Sequence, residues 1–433
     1  MRDTAIARVI LSGLLCAAFL GGCGGGDGSG GADGSAELEQ WEKPGGRWHP
    51  VHGGVLTSEQ LEEMERLRSL GYLAGSTEAP DVWGITVYDE ARTWDGLNFY
   101  TSGHTSGATL MDMRGNVLHE WNYSFLDAWR ACSHGELPKS SKGSGFWRRA
   151  YLFENGDVLA IFDGHAIIKV DKDSRLIWAQ FGGFHHDLEV MEDGRIYVLL
   201  REPRIVPRIH PDSPILEEFV VVLDADGSEL ERVSQLGAIE RAGRHDLLEG
   251  MKESGDIFHT NTVEVLDGRL ANLHPAFREG NVLICIRELD NIAVIDMEKE
   301  LVVWGLEGPW LKQHQPTVLD NGHMLIFDNG GSRGASRIIE FDPATKKVVW
   351  VYKGDADNVF HSPQCGSNQR LPNGNTLISE TDRGRAIEVT PEHEIVWEYV
   401  NPAQAGDEDR YIASLFEVIR IPPQYVEGWF AHD

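Results

Sequence analysis

Positive charge is scarce in this chain: 39 Lys and Arg face 68 Asp and Glu over 433 residues, a formal charge of −29 with neutral histidines. Such a balance repels phosphate backbones and argues against a nucleic-acid partner. Cysteine is scarce too, with five in all, two of them (Cys16 and Cys23) in the N-terminal segment. The remaining three, Cys132, Cys285 and Cys365, allow at most one disulfide and lack zinc-ribbon spacing, which excludes a disulfide-framed scaffold. Apolar runs long enough to span a membrane are missing. So is a phosphate loop, because the glycine-rich tract at 24–31 has no following Lys-Ser/Thr and no strand–helix setting. What is plentiful is glycine (48) and tryptophan (13), within a globular composition of 41% hydrophobic and 25% charged residues.

The N-terminus reads as a processing segment. Arg2 and Arg8 precede the apolar run Val9 to Leu20, which has the charge asymmetry of a signal peptide. It ends in Leu20-Gly21-Gly22-Cys23, which resembles a bacterial lipobox, whose cysteine carries the lipid of an exported, membrane-anchored protein of the cell envelope. The expected organisation is a signal peptide over 1–22, a flexible tether over 23–56, a short helical extension over 57–83 and one catalytic domain over 84–424. Leu61, Met64, Leu67 and Leu70 supply the helical spacing within Ser58 to Leu70.

A repeat of 40 to 50 residues runs through 84–400. Turn glycines Gly96, Gly156, Gly280, Gly322 and Gly374 are each followed by an apolar strand, an alternating strand and a strand closing in Trp121, Trp178, Trp304, Trp350 or Trp397. The spacings are 25, 22, 24, 28 and 23 residues. A sixth copy starts at Gly194, carries an insertion and places Val233 where tryptophan would fall. Six four-stranded antiparallel units stacked radially predict an all-β fold, a six-bladed β-propeller, with the tryptophans packing between blades.

Labelling the strands of a blade a to d from the inside out, the start of a and the end of b lie on one face. His186 and His314 both stand eight residues before their turn glycines, at the start of strand a, and His259 is expected at the same place in its blade. Arg287 and Arg201, seven residues after Gly280 and Gly194, end strand b at the same mouth. The long connections 123–147, 202–218 and 237–257 open on that face, where binding sites are elaborated. Imidazoles and guanidinium groups gathered in so acidic a chain suit a small anion, with histidines as switchable donors near neutral pH. A three-histidine metal site is the competing arrangement, which the adjacent arginine would oppose.

These residues resemble the bacterial aryl-sulfate sulfotransferases and their arylsulfotransferase-like relatives. The resemblance covers roughly residues 84–420 and rests on "HHDLEVMEDGRIYVL" (185–199), "FHTNTVEV" (258–265), "CIRELDNIAVID" (285–296) and "QHQPTVLDNGHMLIFDNG" (313–330), in that order. It implies a transferase that moves a sulfuryl group from an aryl sulfate to a phenol, with no cofactor, no metal and no sulfonucleotide. By position it makes His314 the nucleophile that is transiently sulfated, and His186, His259 and Arg287 the catalytic groups on the sulfuryl oxygens. His185, Arg201 and Asn329 join the substrate-binding set. A protonated His186 or His259 would then serve the departing phenolate. One departure stands out: Gln315-Pro316 follows the nucleophile, where the family commonly has Asp. The same mouth also suits a non-catalytic propeller that binds an anionic ligand or a protein partner.

Overall fold

The computed structural model describes residues 57–60, 77–132, 142–405 and 411–430. Cys23, the expected leader and the tether lie outside them. Of the expected helix, Ser58 to Gln60 are helical, opened by a capping box in which Thr57 Oγ1 accepts from Gln60 N and Gln60 Oε1 accepts from Thr57 N. The rest of that helix also lies outside the described residues.

Six four-stranded antiparallel blades are present, as the repeat predicts. Blade 2 runs through Arg149–Leu152, Val158–Phe162, Ala166–Val170 and Leu176–Phe181, and blade 3 through Phe184–Val190, Ile196–Ile205, Pro214–Leu223 and Glu229–Ser234. Blade 4 comprises Thr260–Val265, Val282–Ile286, Asn291–Asp296 and Leu301–Glu307; blade 5 comprises His314–Val318, Met324–Asp328, Arg337–Phe341 and Val348–Tyr352. Blade 6 uses Ser367–Arg370, Thr376–Glu380, Arg385–Val389 and Ile395–Val400, with Gly84–Tyr88 as a fifth, outermost strand. Blade 1 takes three strands from the front of the chain, Leu97–Ser102, Gly107–Met111 and Val117–Asn122, and its innermost strand from the back, Leu415–Ile421. The ring is thus closed at both ends of the domain by strands that leave their sequence neighbours.

The closing tryptophans act between blades. The indoles of Trp121, Trp178, Trp350 and Trp397 donate to the backbone carbonyls of Gly156, Ala225, Pro391 and Met113, each in a loop of the next blade round the ring. Trp304 instead lies edge-on to Phe277 of its own blade, 5.0 Å between centroids. Inner strands have a free hydrogen-bonding edge toward the axis, and neighbours cap it. Asp187, Glu189 and Glu264 accept from the backbone N–H groups of Val263, Val265 and Val318, one blade onward. Burial holds Glu189 up at about 7 and pushes Glu264 well above the usual carboxylate range.

The insertion in blade 3 is extra strand rather than loop. Strands b and c continue in register past Arg201↔Glu218 to Ile205↔Pro214, so a ribbon rises at the mouth end. Gly255–Asp256 pairs parallel to Ile215–Leu216 on its edge, which fixes the approach to blade 4. The connection 123–147 forms a helix, Phe125–Cys132, and a 3-10 turn, Lys142–Gly145.

Candidate active site

The inner strands of blades 3, 4 and 5 do not start as regular strands. Register breaks lie between His185 and Leu188, Thr260 and Val263, and His314 and Thr317. His186 (φ 55°) and Gln315 (φ 42°) take left-handed backbone conformations within two of these breaks, and His259 (φ 49°) does so just before the third strand begins, which for non-glycine residues is uncommon and concentrates at functional sites. The bulge turns successive side chains out of the alternation of a strand. His185 and His186, neighbours in sequence, consequently meet edge to face, 5.1 Å between ring centroids. His186 also lies 5.0 Å from the ring of His259.

The neighbours of His314 define a single tautomer. Its Nδ1 donates to Asn329 Oδ1 at 2.7 Å and lies 3.2 Å from the Lys312 carbonyl. The Asn329 amide is itself oriented, because its Nδ2 donates to the Ser362 and Cys365 carbonyls. Both contacts of Nδ1 are acceptors, so the proton sits there and Nε2 carries the lone pair; Nε2 is buried with no hydrogen-bond partner. His314 is 3% exposed and titrates well below the usual histidine range. Burial is the main cause, the Arg287 guanidinium adds to it, and Arg148 and His259 contribute further.

His186 is held differently. Its Nδ1 shares a 2.8 Å hydrogen bond with His185 Nδ1, and His185 Nε2 bonds Glu218 Oε2 at 2.8 Å. His185 and Glu218 are both 0% exposed. His259 bonds Asp256 twice, through its backbone N–H and through Nδ1 to Oδ2 at 2.7 Å. All of these imidazoles titrate low: burial and then Arg201 push His185 down to about 3, burial and then Arg148 hold His186 well below its usual value, and burial lowers His259 against the pull of Asp256. This corrects the expectation of histidines that switch near neutral pH. Without an anion in place the rings are neutral, and the positive charge of the mouth belongs to arginines.

One of those arginines escaped the reading of the sequence. Arg148 immediately precedes the inner strand of blade 2 and is 7% exposed. Its guanidinium lies against the Phe416 ring and 3.7 Å from Cys365 Sγ, with Nε buried and without a hydrogen bond. Among the described residues it has no carboxylate partner. It lines, with His186, His314, Asn261, Thr262 and Phe416, a cavity of about 20 Å³, roughly the room one water needs. The signal was available: Arg148 stands eight residues before Gly156, the same count that located His186 and His314.

The other expected residues separate into two groups. Arg287 begins the turn after strand b of blade 4, where its Nη1 donates to Glu288 and its Nε is buried without a partner. His259 is not the positional equivalent of His186. Val263 pairs with Ile284, four residues after Gly280, as Leu188 pairs with Val198, four after Gly194. Asn261 is therefore the counterpart, and His259 reaches the mouth from just before the strand. Of the expected residues only His186 and His314 line the cavity; His259 and Arg287 stand beside it, and His185, Arg201 and Asn329 are buried behind it. His185 and Asn329 grip His186 and His314 from behind, and Arg201 acts on the histidines through its charge. Gln315, which follows His314 where the resemblance leads to the expectation of an acidic residue, donates its N–H to Thr262 Oγ1 and its side-chain Nε2–H to Glu417. Glu417 in turn pairs with Arg149, which also holds Asp187.

Cys132, Cys285 and Cys365 are free thiols, so the one disulfide that the sequence permits does not form. Burial raises Cys365 to about 11 and Cys285 further, which makes both poor nucleophiles. Among the described residues no group of three or more His, Cys, Asp and Glu has the arrangement of a metal site.

A search of curated protein sequences returned no match. Similar solved structures include a protein of unknown function from Bacteroides caccae, 11% identical, covering 75% of this chain and 98% of that one with a TM-score of 0.48. The WD40 β-propeller domain of Doa1 is 15% identical over 83% of this chain and 100% of that one (TM-score 0.41), and a streptogramin B lyase 11% over 79% and 96% (TM-score 0.41). Likenesses this distant carry no argument about chemistry. The family model described as arylsulfotransferase (ASST) matches residues 149–402, more than half of the chain, from the residue after Arg148 through every histidine of the mouth. The chain belongs to the arylsulfotransferase family, which gives it a sulfotransferase-like function and points to small aryl substrates.

Proposed function

We propose that this protein transfers a sulfuryl group from an aryl sulfate to a phenol through a sulfohistidine at His314 Nε2, and that it does so as an exported lipoprotein held to the membrane through Cys23. The observation that carries the reading is the locked tautomer of His314: Asn329 Oδ1 accepts a hydrogen bond from Nδ1–H, so a neutral imidazole presents a bare Nε2 beside Arg148, which has no carboxylate partner among the described residues. Depression of the His314 pKa by burial and Arg287 supports it, since the nucleophile stays unprotonated at and below neutral pH.

The cavity beside His314 has room for about one water molecule and none for an aromatic ring. A single sulfuryl oxygen fits there, against Arg148, while the aryl group stays outside. Sulfuryl transfer, like phosphoryl transfer, runs through a loose transition state with charge on the peripheral and leaving oxygens, so fixed cations stabilise it most. Arg148 and Arg287 fill that role. In the first half-reaction the Nε2 lone pair of His314 bonds sulfur as the S–O bond to the aryl group breaks. A phenol then takes the sulfuryl group from His314, giving ping-pong kinetics.

Incubating the protein with 4-nitrophenyl sulfate and no acceptor tests this. A peptide containing His314 is expected to gain one sulfuryl mass and to lose it on addition of phenol, and His314→Ala is expected to take up no label. Label that persists in His314→Ala would reassign the nucleophile. Binding of the ester with no labelling of the wild type would leave a non-catalytic anion-binding propeller.

A further inference from the structure

The mouth contains no protonated imidazole, yet a phenolate that leaves poorly needs a proton. A titratable group on strand c of blade 3, Glu218, stands in hydrogen-bonded continuity with the mouth. Glu218 Oε2 lies 2.8 Å from His185 Nε2, and His185 Nδ1 lies 2.8 Å from His186 Nδ1, so the three side chains are linked in succession from the blade interior to the cavity. We propose that Glu218 is the proton store of the transfer reaction, supplying the leaving phenolate through His185 and His186. The inference rests on the transferase reading above.

The line has two neutral-imidazole states, because in a hydrogen bond between two Nδ1 atoms one must donate and the other accept. In the loaded state the Glu218 carboxyl O–H donates to His185 Nε2, His185 Nδ1–H donates to His186 Nδ1, and His186 carries its own proton on Nε2. In the discharged state Glu218 is a carboxylate, His185 donates to it from Nε2, and His186 donates back from Nδ1 and has a lone pair on Nε2. Converting the first into the second releases one proton. As His314 Nε2 bonds sulfur and the S–O bond breaks, the electron pair goes to the aryl oxygen, which takes the proton from His186 Nε2. His186 Nδ1 is reprotonated from His185 Nδ1, and His185 Nε2 from Glu218. The acceptor phenol reverses every shift in the second half-reaction, so the cycle ends with Glu218 reloaded and needs no further reactant. No imidazolium is formed on this line, which is how a mouth of low-pKa histidines can still perform general acid–base work.

The surroundings of Glu218 favour the loaded state. The groups facing it are His185 on strand a, Arg201 opposite it on strand b, Asp256 on the parallel edge segment, and His259 at the entry to blade 4. Burial raises the Glu218 carboxyl well above its ordinary range, Asp256 adds to this, and Arg201 and His259 oppose it.

The test is a change of leaving group. Phenyl sulfate releases a basic phenolate that needs the proton; 4-nitrophenyl sulfate releases one that does not. Glu218→Gln keeps a hydrogen bond to His185 but has no acidic proton. Sulfation of His314 by 4-nitrophenyl sulfate is expected within about threefold of wild type, and by phenyl sulfate to fall about 10²-fold, the usual size of a general-acid contribution. His185→Gln, which interrupts the line with Glu218 intact, is expected to slow both donors and to slow phenyl sulfate at least about tenfold more than 4-nitrophenyl sulfate. Equal slowing of both donors in folded variants would overturn the relay and leave Glu218 a positioning residue. The wild type supplies an independent measurement: a bowed proton inventory with phenyl sulfate is expected from several protons moving together, and a linear one would overturn the relay even where neither variant folds. Absence of His314 labelling in the wild type by 4-nitrophenyl sulfate would instead overturn the transferase reading, so the two failures are distinguishable.

Discussion

Blades 3 and 5 each place an imidazole eight residues before a turn glycine and then surround it with opposite proton chemistry. In blade 5 the partner is Asn329, an amide whose two ends are already committed to His314 and to the Ser362 and Cys365 carbonyls. An amide neither gives nor takes a proton at ordinary pH, so His314 has one tautomer. In blade 3 the partners are another imidazole and a carboxyl, both of which can do either. The repeated scaffold supplies equivalent points on a rim, and the residue behind the ring sets its proton chemistry: a fixed tautomer for the proposed attack, an exchangeable one for the proposed relay.

Breaking that difference should have the largest effect. Asn329→Asp puts a carboxylate behind His314, which favours the imidazolium and raises the pKa. The attacking free base then forms only at higher pH, so labelling at pH 6 should fall about 10- to 100-fold and recover as pH rises, at one decade per unit below the new pKa. A pH profile of single-turnover labelling checks both the size and the sign. Loss without recovery would mean that Asn329 does something other than fix the tautomer.

Removing the charge that blades 3 and 5 share through the cavity should cost less. Arg148→Ala forfeits a charge-assisted hydrogen bond of about 1.5–3 kcal/mol, or about 10- to 150-fold in kcat/KM. Arg148→Lys should recover only part of this, because an ammonium lacks the planar fork.

The smallest effect concerns stability, and it weighs the two blades directly. His185, His186, His259 and His314 all titrate lower in the fold than the unfolded value of about 6.5. Below that pH these groups bind more protons in the unfolded chain, so their contribution to stability is complete above about pH 6.5 and declines as pH falls toward the folded values. Each such histidine adds at most about 1.4 kcal/mol per pH unit. Glu189, Glu218 and Glu264, which burial raises above the unfolded value, act with the opposite sign over the same range, so the histidine share is read by difference: acidification from pH 7.5 to 5 should destabilise His185→Gln, which lacks one titrating ring, less than the wild type, as a pH series of Tm values would show.

Much of this molecule was legible because its repeat is local. Turn glycine, alternating strand and closing tryptophan lie within 28 residues of one another, and four of the five indoles do bond the next blade. Ring closure was not legible, because Leu415–Ile421 pairs with Leu97–Ser102 across some three hundred positions and no short pattern reports such a pairing. Counting from glycines found His186 and His314, and the same count on Gly156 gives Arg148. Counting misplaced His259, because the segment between it and Gly280 obscures the register that makes Asn261 the equivalent residue. The protonation states were out of reach altogether. They follow from burial and from Glu218, Asp256 and Asn329, whose proximity only the packed blades create.

Two residues of the strand that closes blade 1 do more than complete a sheet. Phe416 carries the Arg148 guanidinium on its ring, and Glu417 anchors Arg149 and Gln315. A nascent chain that stops short of Leu415 has translated every histidine and arginine of the mouth and still lacks the wall they lean on. The enclosure is complete only once Leu415–Ile421 has joined blade 1, so products clipped before Leu415 should carry His314 and Arg148 without the wall beside them.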